Sequence, residues 1–343
     1  MRPYLSVIIP YYNAPEKLEK LLVSLGRSKK APPFEVIVVD DGSKRVYRAS
    51  NTEYRRKFKT LTIRVVSLNA NKGPAIARNR GVTEAKGKFV VFLDGDVEVF
   101  PDTLMEIARV YTEDPDVVAL TGVWVKEQKS KAFFPNFKAL RDWSYWINER
   151  DKNGYYFLFS TRIASIKKTV FQRLGGFDET YPAPLVEDIE LTYRIARRYA
   201  IIFAPRVRVR HEFEEFWPIA KKYFLRAYYW TKLYQQRKKF DPVATTLTEA
   251  ITTLSAVAVI VLVIAAMVGS MATLGSLTVV MRVLLVLCAI AILTHVFLVR
   301  KFLMFVAREK GAVFAVKSFL VGLVLYCFIF AGAIAGRVIH GHT

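Results

Sequence analysis

The sequence predicts an α/β domain built on a mostly parallel sheet, followed by an α-helical membrane domain of about three spans. Two observations carry this expectation. Short apolar runs end repeatedly in polar or charged residues, the pattern of buried strands that deliver side chains to one rim of a sheet. From residue 245 onward charge nearly vanishes and Leu, Val, Ile and Ala dominate, as spans of ~20 apolar residues require.

A chain of 343 residues has room for a sizeable soluble domain and something smaller. Its 51 Lys and Arg against 30 Asp and Glu give a formal net charge of +21, which calls for an anionic partner: nucleic acid, a phosphorylated substrate or lipid headgroups. The apolar C-terminal part makes this an integral membrane protein and accounts for the charge without nucleic acid. Cys288 and Cys327 both lie in apolar segments, so no disulfide framework is expected. The first apolar run, residues 5–9, is too short for a signal peptide and leads into Pro10, so the soluble part is expected to stay in the cytoplasm.

Residues 5–10 read as a first strand, with Tyr11, Tyr12 and Asn13 in the turn after it and Pro15 opening a helix in which Leu18, Leu21, Leu22 and Leu25 recur at helical spacing up to Gly26. Residues 35–39 form a second strand that runs into Asp40, Asp41, Gly42 and Ser43, completing a crossover unit. Residues 61–68 form a third. Asn71, Lys72, Gly73 and Pro74 then open a helix carrying Arg78, whose start suits a phosphate. The run Phe89-Val90-Val91-Phe92-Leu93 is an interior strand that ends in Asp94-Gly95-Asp96. Asp94 and Asp96, two residues apart, point the same way, and close carboxylates call for a cation such as Mg2+ or Mn2+ together with a diphosphate; a plain surface turn is the other reading. Four strand ends would converge on a nucleotide cleft.

These segments, Val7-Ile8-Ile9-Pro10-Tyr11-Tyr12-Asn13, Val38-Val39-Asp40-Asp41-Gly42-Ser43, Asn71-Lys72-Gly73-Pro74-Ala75-Ile76-Ala77-Arg78-Asn79 and Asp94-Gly95-Asp96, together resemble the family 2 glycosyltransferases with their A-type nucleotide-diphospho-sugar transferase fold. The resemblance implies that Pro10, Tyr12 and Asp40 or Asp41 hold the nucleoside, that Lys72 and Arg78 lie near base or diphosphate, and that Asp94 and Asp96 hold donor and metal. It gives Glu98 the place of a further polar ligand, beside the plainer reading of an outward strand position. Gly175-Gly176-Phe177-Asp178-Glu179 and Glu187-Asp188 match the family segments beside the scissile bond, which implies Asp188, with Glu187, as the catalytic carboxylates; helix capping is the alternative for one such residue. His211 matches a family histidine that can complete the metal site. Of the Q-x-x-R-W motif carried by processive members, Tyr223 replaces Gln, Arg226 is kept for the donor phosphates, and Ala227 replaces Trp, which points to transfer of a single sugar.

The aromatic and cationic stretches at 133–138 and 143–146 read as a sugar-stacking surface, a headgroup belt or an amphipathic core helix. A strand at 201–203 precedes Pro205, after which alternation sets Arg206, Arg208 and Arg210 on one face, available to phosphate or headgroup. Residues 213–240 mix rings and cations as an interfacial helix does. Spans are expected near 250–271, 277–298 and 312–335, with Arg282 and Lys317 snorkelling. Cations before the first span and between the last two, against none in 269–276, place the catalytic domain on the cytoplasmic side of the plasma membrane. The domains follow as 1–211 catalytic, 212–243 interfacial and 244–343 transmembrane. Gly332, Ala333 and Gly336 allow close helix packing and hint at a homo-oligomer.

The expected activity is that of a metal-dependent, membrane-anchored inverting transferase moving one sugar from a UDP- or GDP-sugar to a lipid-linked acceptor such as polyprenyl phosphate. A hydroxyl of a lipid-linked glycan is the alternative acceptor, and a catalytically silent membrane scaffold or sugar-nucleotide sensor the alternative of another class.

Overall fold

The computed structural model describes residues 2–149, 157–181, 185–238, 240, 246–272 and 278–338. These fall into two compact units, one from the described residues of 1–131 and 151–213, the other from those of 132–150 and 214–343.

The first unit is an α/β layer. Its elements are β1 Leu5–Tyr11, α1 Pro15–Gly26, β2 Phe34–Asp40, α2 Asn51–Lys57, β3 Ile63–Ser67, α3 Pro74–Glu84, β4 Phe89–Leu93, β5 Val97–Val99, α4 Thr103–Glu113 and β6 Ala119–Trp124. After α5 Phe133–Ser144, which belongs to the second unit, come β7 Ile163–Lys167, α6 Lys168–Arg173, α7 Glu187–Ala196 and β8 Ile201–His211. The eight strands form one sheet in the order β3-β2-β1-β4-β7-β6-β8-β5. Four of the seven pairings are parallel, and the antiparallel ones involve β7 and β5. The strand order reverses between β1 and β4, and α/β sheets open a crevice for ligands at the carboxyl ends of such strands. β4 is buried at all five positions, the reason its sequence is apolar without alternation.

α3 lies close on β1 and β2 because Gly81 leaves no room for more: a Cβ there would come within 2.4 Å of Ile8 Cγ2. This close seat carries Arg78, one turn earlier, down to the strand ends. β8 is a single strand with an irregularity. Thr121 and Val123 of β6 pair with Phe203 and Arg208, so the extra residues around Pro205, which has no N–H to donate, bulge out of the ladder.

The second unit contains α5, α8 Phe216–Arg237, α9 Leu247–Ala272, α10 Val279–Lys310 and α11 Ala312–Val338. The last three are long and apolar enough to cross a membrane. With 32 residues α10 reaches about 48 Å, beyond a hydrocarbon core of about 30 Å, and the surplus end carries Arg300, Lys301, Arg308 and Lys310. Leu277, the expected start of the second span, and half of the uncharged 269–276 connection lie outside the described residues, as does Lys239. The aromatic stretch at 133–144 proves to be a core helix: Phe134, Phe137 and Leu140 are buried with Ile219 and Ala220 of α8, Phe302 and Val306 of α10 and Leu325 of α11. Arg141 donates to Tyr326 Oη at 2.9 Å and faces Glu249 and Glu149 at 3.7 and 3.8 Å. Ser255 of α9 shares a 2.8 Å hydrogen bond with Nδ1 of the buried His295 of α10.

The small residues of α11 are used within this unit. A Cβ at Gly332 would lie 2.1 Å from the carbonyl oxygen of Phe224, and one at Gly336 2.6 Å from that of Tyr228, so α8 occupies the stripe. Gly322, by contrast, faces open space. Gly332→Leu is therefore expected to destabilise the unit by about 1–3 kcal/mol through overpacking, while Gly322→Leu is tolerated. Thermal melts of the two variants in detergent check this; equal melting temperatures would refute the close α8–α11 contact.

Candidate active site

The rim at the ends of β1 and β2 is stitched together by buried carboxylates. Asp40 closes β2, and its two oxygens accept the amides of Ser43 at 2.9 Å and Ala49 at 3.0 Å. Asp41 reaches the other way and accepts the amides of Lys72 at 2.8 Å and Gly73 at 2.9 Å. Burial pushes the Asp41 carboxyl above the usual carboxylate range, against the pull of those two amides. Asn13, in the left-handed region at φ 51°, accepts the amide of Lys44 at 2.8 Å. Gly42 allows the approach of the 69–73 loop: it adopts φ +67°, and a Cβ would sit 2.3 Å from the carbonyl carbon of Ala70. Asp40 and Asp41 thus shape the loops, and both are almost fully buried, whereas Tyr12 and the Lys72 side chain are exposed at the rim. Pro10, half-buried, is the last residue but one of β1 and pairs with Val39 of β2.

At the end of β4 the chain turns tightly, Val97 N donating to Asp94 O at 3.3 Å. A Cβ at Gly95 would press to 3.0 Å from Pro10 O, which fits a glycine between the two aspartates. β5 then pairs with β8 so that Val97 faces His211. That register brings His211 Nε2 to 3.6 Å from Asp96 Oδ1, while Lys17 Nζ lies 3.6 Å from Asp96 Oδ2. Glu98 does not join this group. Its carboxylate pairs with Lys129 and lines a polar pocket of about 450 Å3 with Glu16, Glu19, Lys20 and Arg27.

Arg78 reaches the same rim from α3. It is 2% exposed, and its Nη2 donates to Asp94 Oδ1 at 2.7 Å while Nη1 donates to Glu187 Oε1 at 2.8 Å. The second oxygen of Glu187 accepts the amide of Leu185 at 2.9 Å. Both oxygens of this buried carboxylate are therefore engaged, and the half-buried Asp188 follows it in the first turn of α7. A carboxylate there is favoured by the helix dipole.

Asn79, for which the sequence suggested no role, clasps the Gly-Gly-Phe-Asp-Glu segment. Its amide group donates to Phe177 O and Glu179 Oε1, both at 2.9 Å, and its oxygen accepts Phe177 N at 2.9 Å. A Cβ at Gly176 would fall 2.6 Å from that oxygen. No local signal pointed to it, since Asn79 lies in the middle of α3 and its partners are almost a hundred residues away. Of the arginines on β8, Arg208 and Arg210 lie over the Phe100 ring at 5.1 and 5.6 Å, and Arg208 pairs with Asp102 at 3.4 Å. Arg226 belongs to the helical unit, on α8.

The donor set can be tested against a divalent ion. Among the described residues no three His, Cys, Asp or Glu side chains cluster closely enough to hold a metal by themselves. Asp96 and His211 offer an oxygen and a nitrogen ligand, and Asp94 keeps one oxygen beyond its bond to Arg78. A small hard cation that keeps several waters and takes its other oxygens from substrate phosphates needs no more from the protein, so the residues fit such an ion.

Comparison with known proteins agrees with this architecture. The profile described as Glycosyl transferase family 2 matches residues 6–174. Among relatives, the uncharacterized glycosyltransferase YibD of Escherichia coli K12 is 37% identical over 125 residues, covering 35% of this chain and 34% of its own length. The putative teichuronic acid biosynthesis glycosyltransferase TuaG of Bacillus subtilis is 34% identical over 121 residues, covering 35% and 47%. The chain thus spans between a third and a half of the length of these two relatives. Among solved structures, the mannosyltransferase PcManGT from Pyrobaculum calidifontis, in complex with GDP-Man and Mn2+, superposes with a TM-score of 0.60 at 18% identity, over 99% of this chain and 88% of its own, a likeness of fold. The chain therefore carries a family 2 glycosyltransferase domain of the A-type fold, joined to three long apolar C-terminal helices.

Proposed function

We propose that this protein is a membrane-anchored inverting glycosyltransferase that moves a single sugar from a nucleotide-diphosphate donor to a lipid-linked acceptor. The observation that carries the reading is the convergence, at the strand-order reversal of one sheet, of Asp94, Asp96, His211 and the start of α7. The apolar helices of the same chain support a lipid-borne acceptor. Cations at the end of α10, together with those of α8, favour a cytoplasmic catalytic domain.

In this reading Asp96 and His211 hold Mn2+ or Mg2+, with the open oxygen of Asp94 turned to the donor. When bound, the ion neutralises charge on the departing diphosphate. Tyr12 lies at the nucleoside end, and the Asp41 tether fixes the 69–73 loop so that Lys72 and the N-terminus of α3 face the phosphates. Asp188 faces the acceptor. A sugar hydroxyl needs a carboxylate to take its proton as the C–O bond forms and the donor phosphate leaves from the opposite face. A phosphate acceptor, with a second pKa of about 6, needs none, and Asp188 then orients it. The partial exposure of Asp188 keeps the hydroxyl acceptor as the second reading.

The reading is tested with the purified full chain in anionic vesicles, supplied with UDP-, GDP- and dTDP-sugars, polyprenyl phosphate and Mn2+ or Mg2+. Metal-dependent transfer of label to lipid is expected, with Asp96→Asn losing about 100-fold or more. Absence of turnover with every donor would contradict the proposal. Asp188→Asn separates the acceptors: a loss of about 100-fold or more marks a hydroxyl, under about tenfold a phosphate. Asp41→Asn replaces one of two amide acceptors by a donor facing an amide, and should cost about 1–3 kcal/mol in a thermal melt and expose the bond after Lys72 to trypsin.

A further inference from the structure

Arg78 was expected near the base or diphosphate of the donor, yet nothing about its surroundings suits a ligand. Both terminal nitrogens are committed, to Asp94 at 2.7 Å and Glu187 at 2.8 Å, and the Phe177 ring covers the guanidinium at 5.5 Å from its centroid. Its Nε is buried with no hydrogen-bond partner. A group 2% exposed and already joined to two carboxylates offers an incoming phosphate no free edge. What it does offer is a rigid planar fork between two parts of the site that come from distant stretches of chain, the aspartate after β4 and the first residue of α7.

We propose that Arg78 is a positioning residue: through Asp94 and Glu187 it locks the donor-side carboxylate to the start of α7 and so sets where Asp188 stands. The proposal rests on the transferase reading. The two carboxylates repel each other, and the single guanidinium between them fixes both their separation and their planes. Glu187 is itself 2% exposed and bound to the amide of Leu185, so an unpaired Glu187 has no water to turn to. Without Arg78 it must take a proton or leave its seat, and Asp188, its neighbour in the first turn, moves with it. Asp94, with a side chain 28% exposed, is solvated without the arginine and remains available to the donor. Loss of Arg78 should therefore damage the chemical step far more than donor binding. Asn79, the next residue of α3, holds the segment at 177–179 and adds a second tie between α3 and the region preceding α7.

The test uses the full chain in anionic vesicles with the donor and acceptor on which the wild type turns over, and UDP and GDP with Mn2+ as binding probes. Arg78→Met is expected to lower kcat by about 100-fold while the donor KM and the Kd for UDP or GDP change by less than about threefold. Arg78→Lys, a point charge that cannot span both carboxylates in one plane, should recover only part of kcat. The double variant Arg78→Met/Glu187→Gln removes the stranded charge and should regain about tenfold over Arg78→Met, a rescue that a donor ligand would not give. It also guards against misfolding of the single variant. A rise of about tenfold or more in donor KM and nucleotide Kd, with kcat unchanged, would overturn the proposal and return Arg78 to the donor. Binding of nucleotide by the wild type without turnover of any sugar nucleotide would instead overturn the transferase reading, and this proposal with it.

Discussion

A buried guanidinium must be met by negative charge, and in this protein the requirement organises the whole rim of the candidate site. Arg78 can sit at 2% exposure because Asp94 and Glu187 close on it from two sides. For the arginine to reach them, α3 has to lie flush on β1 and β2, which Gly81 permits by presenting no Cβ to Ile8. For the helix to start where it does, the 69–73 loop has to be drawn in, and the Asp41 carboxylate does this through two amides. Loop closure, helix seating and the placement of two carboxylates form one chain of dependence.

The charge of the protein divides its tasks along different lines. In the α/β unit the buried acids are spent on internal order, as with Asp40, Asp41 and Glu187, each of which binds backbone amides. In the helical unit polar groups among apolar helices find one another: Arg141 meets Tyr326 and two glutamates, and Ser255 meets His295. Such pairings are what a low-dielectric surrounding demands of buried polar side chains. α8 holds α11 through backbone approach at Gly332 and Gly336, and leaves Trp217 exposed, an indole suited to a headgroup layer.

Much of this was legible in the residues because the signals were local. β1, β2 and β4 are apolar runs with polar ends, and Pro15 and Pro74 mark helix starts where the structure has them. The three apolar helices follow from composition alone. What the sequence left undetermined depends on partners far along the chain. The 133–144 segment could have faced sugar, lipid or core, and its burial is decided by Phe302, Val306 and Leu325. Pro205 reads as the end of a strand, but a register irregularity against β6 carries β8 through it. The stripe at Gly332 and Gly336 suggests a second copy of the chain, whereas α8 fills it within the unit. At the candidate site, spacing singled out Asp94 and Asp96 and the family resemblance singled out Glu187 and Asp188, but neither told which oxygens are already engaged, since Arg78 and Leu185 decide that. Glu98, near in sequence, turns to Lys129 instead.

We propose that the rim around Asp94 and Asp96 receives a nucleoside diphosphate together with a divalent ion. Phosphorus NMR of UDP or GDP mixed with the full chain in detergent and substoichiometric Mn2+ tests it directly, because a paramagnetic ion broadens the resonances of phosphates it touches. Protein-dependent broadening of both phosphate signals is expected, lost in Asp96→Asn and unaffected by Gly322→Leu in the helical unit. Broadening that persists undiminished in Asp96→Asn, or that never exceeds the level seen without protein, would contradict it.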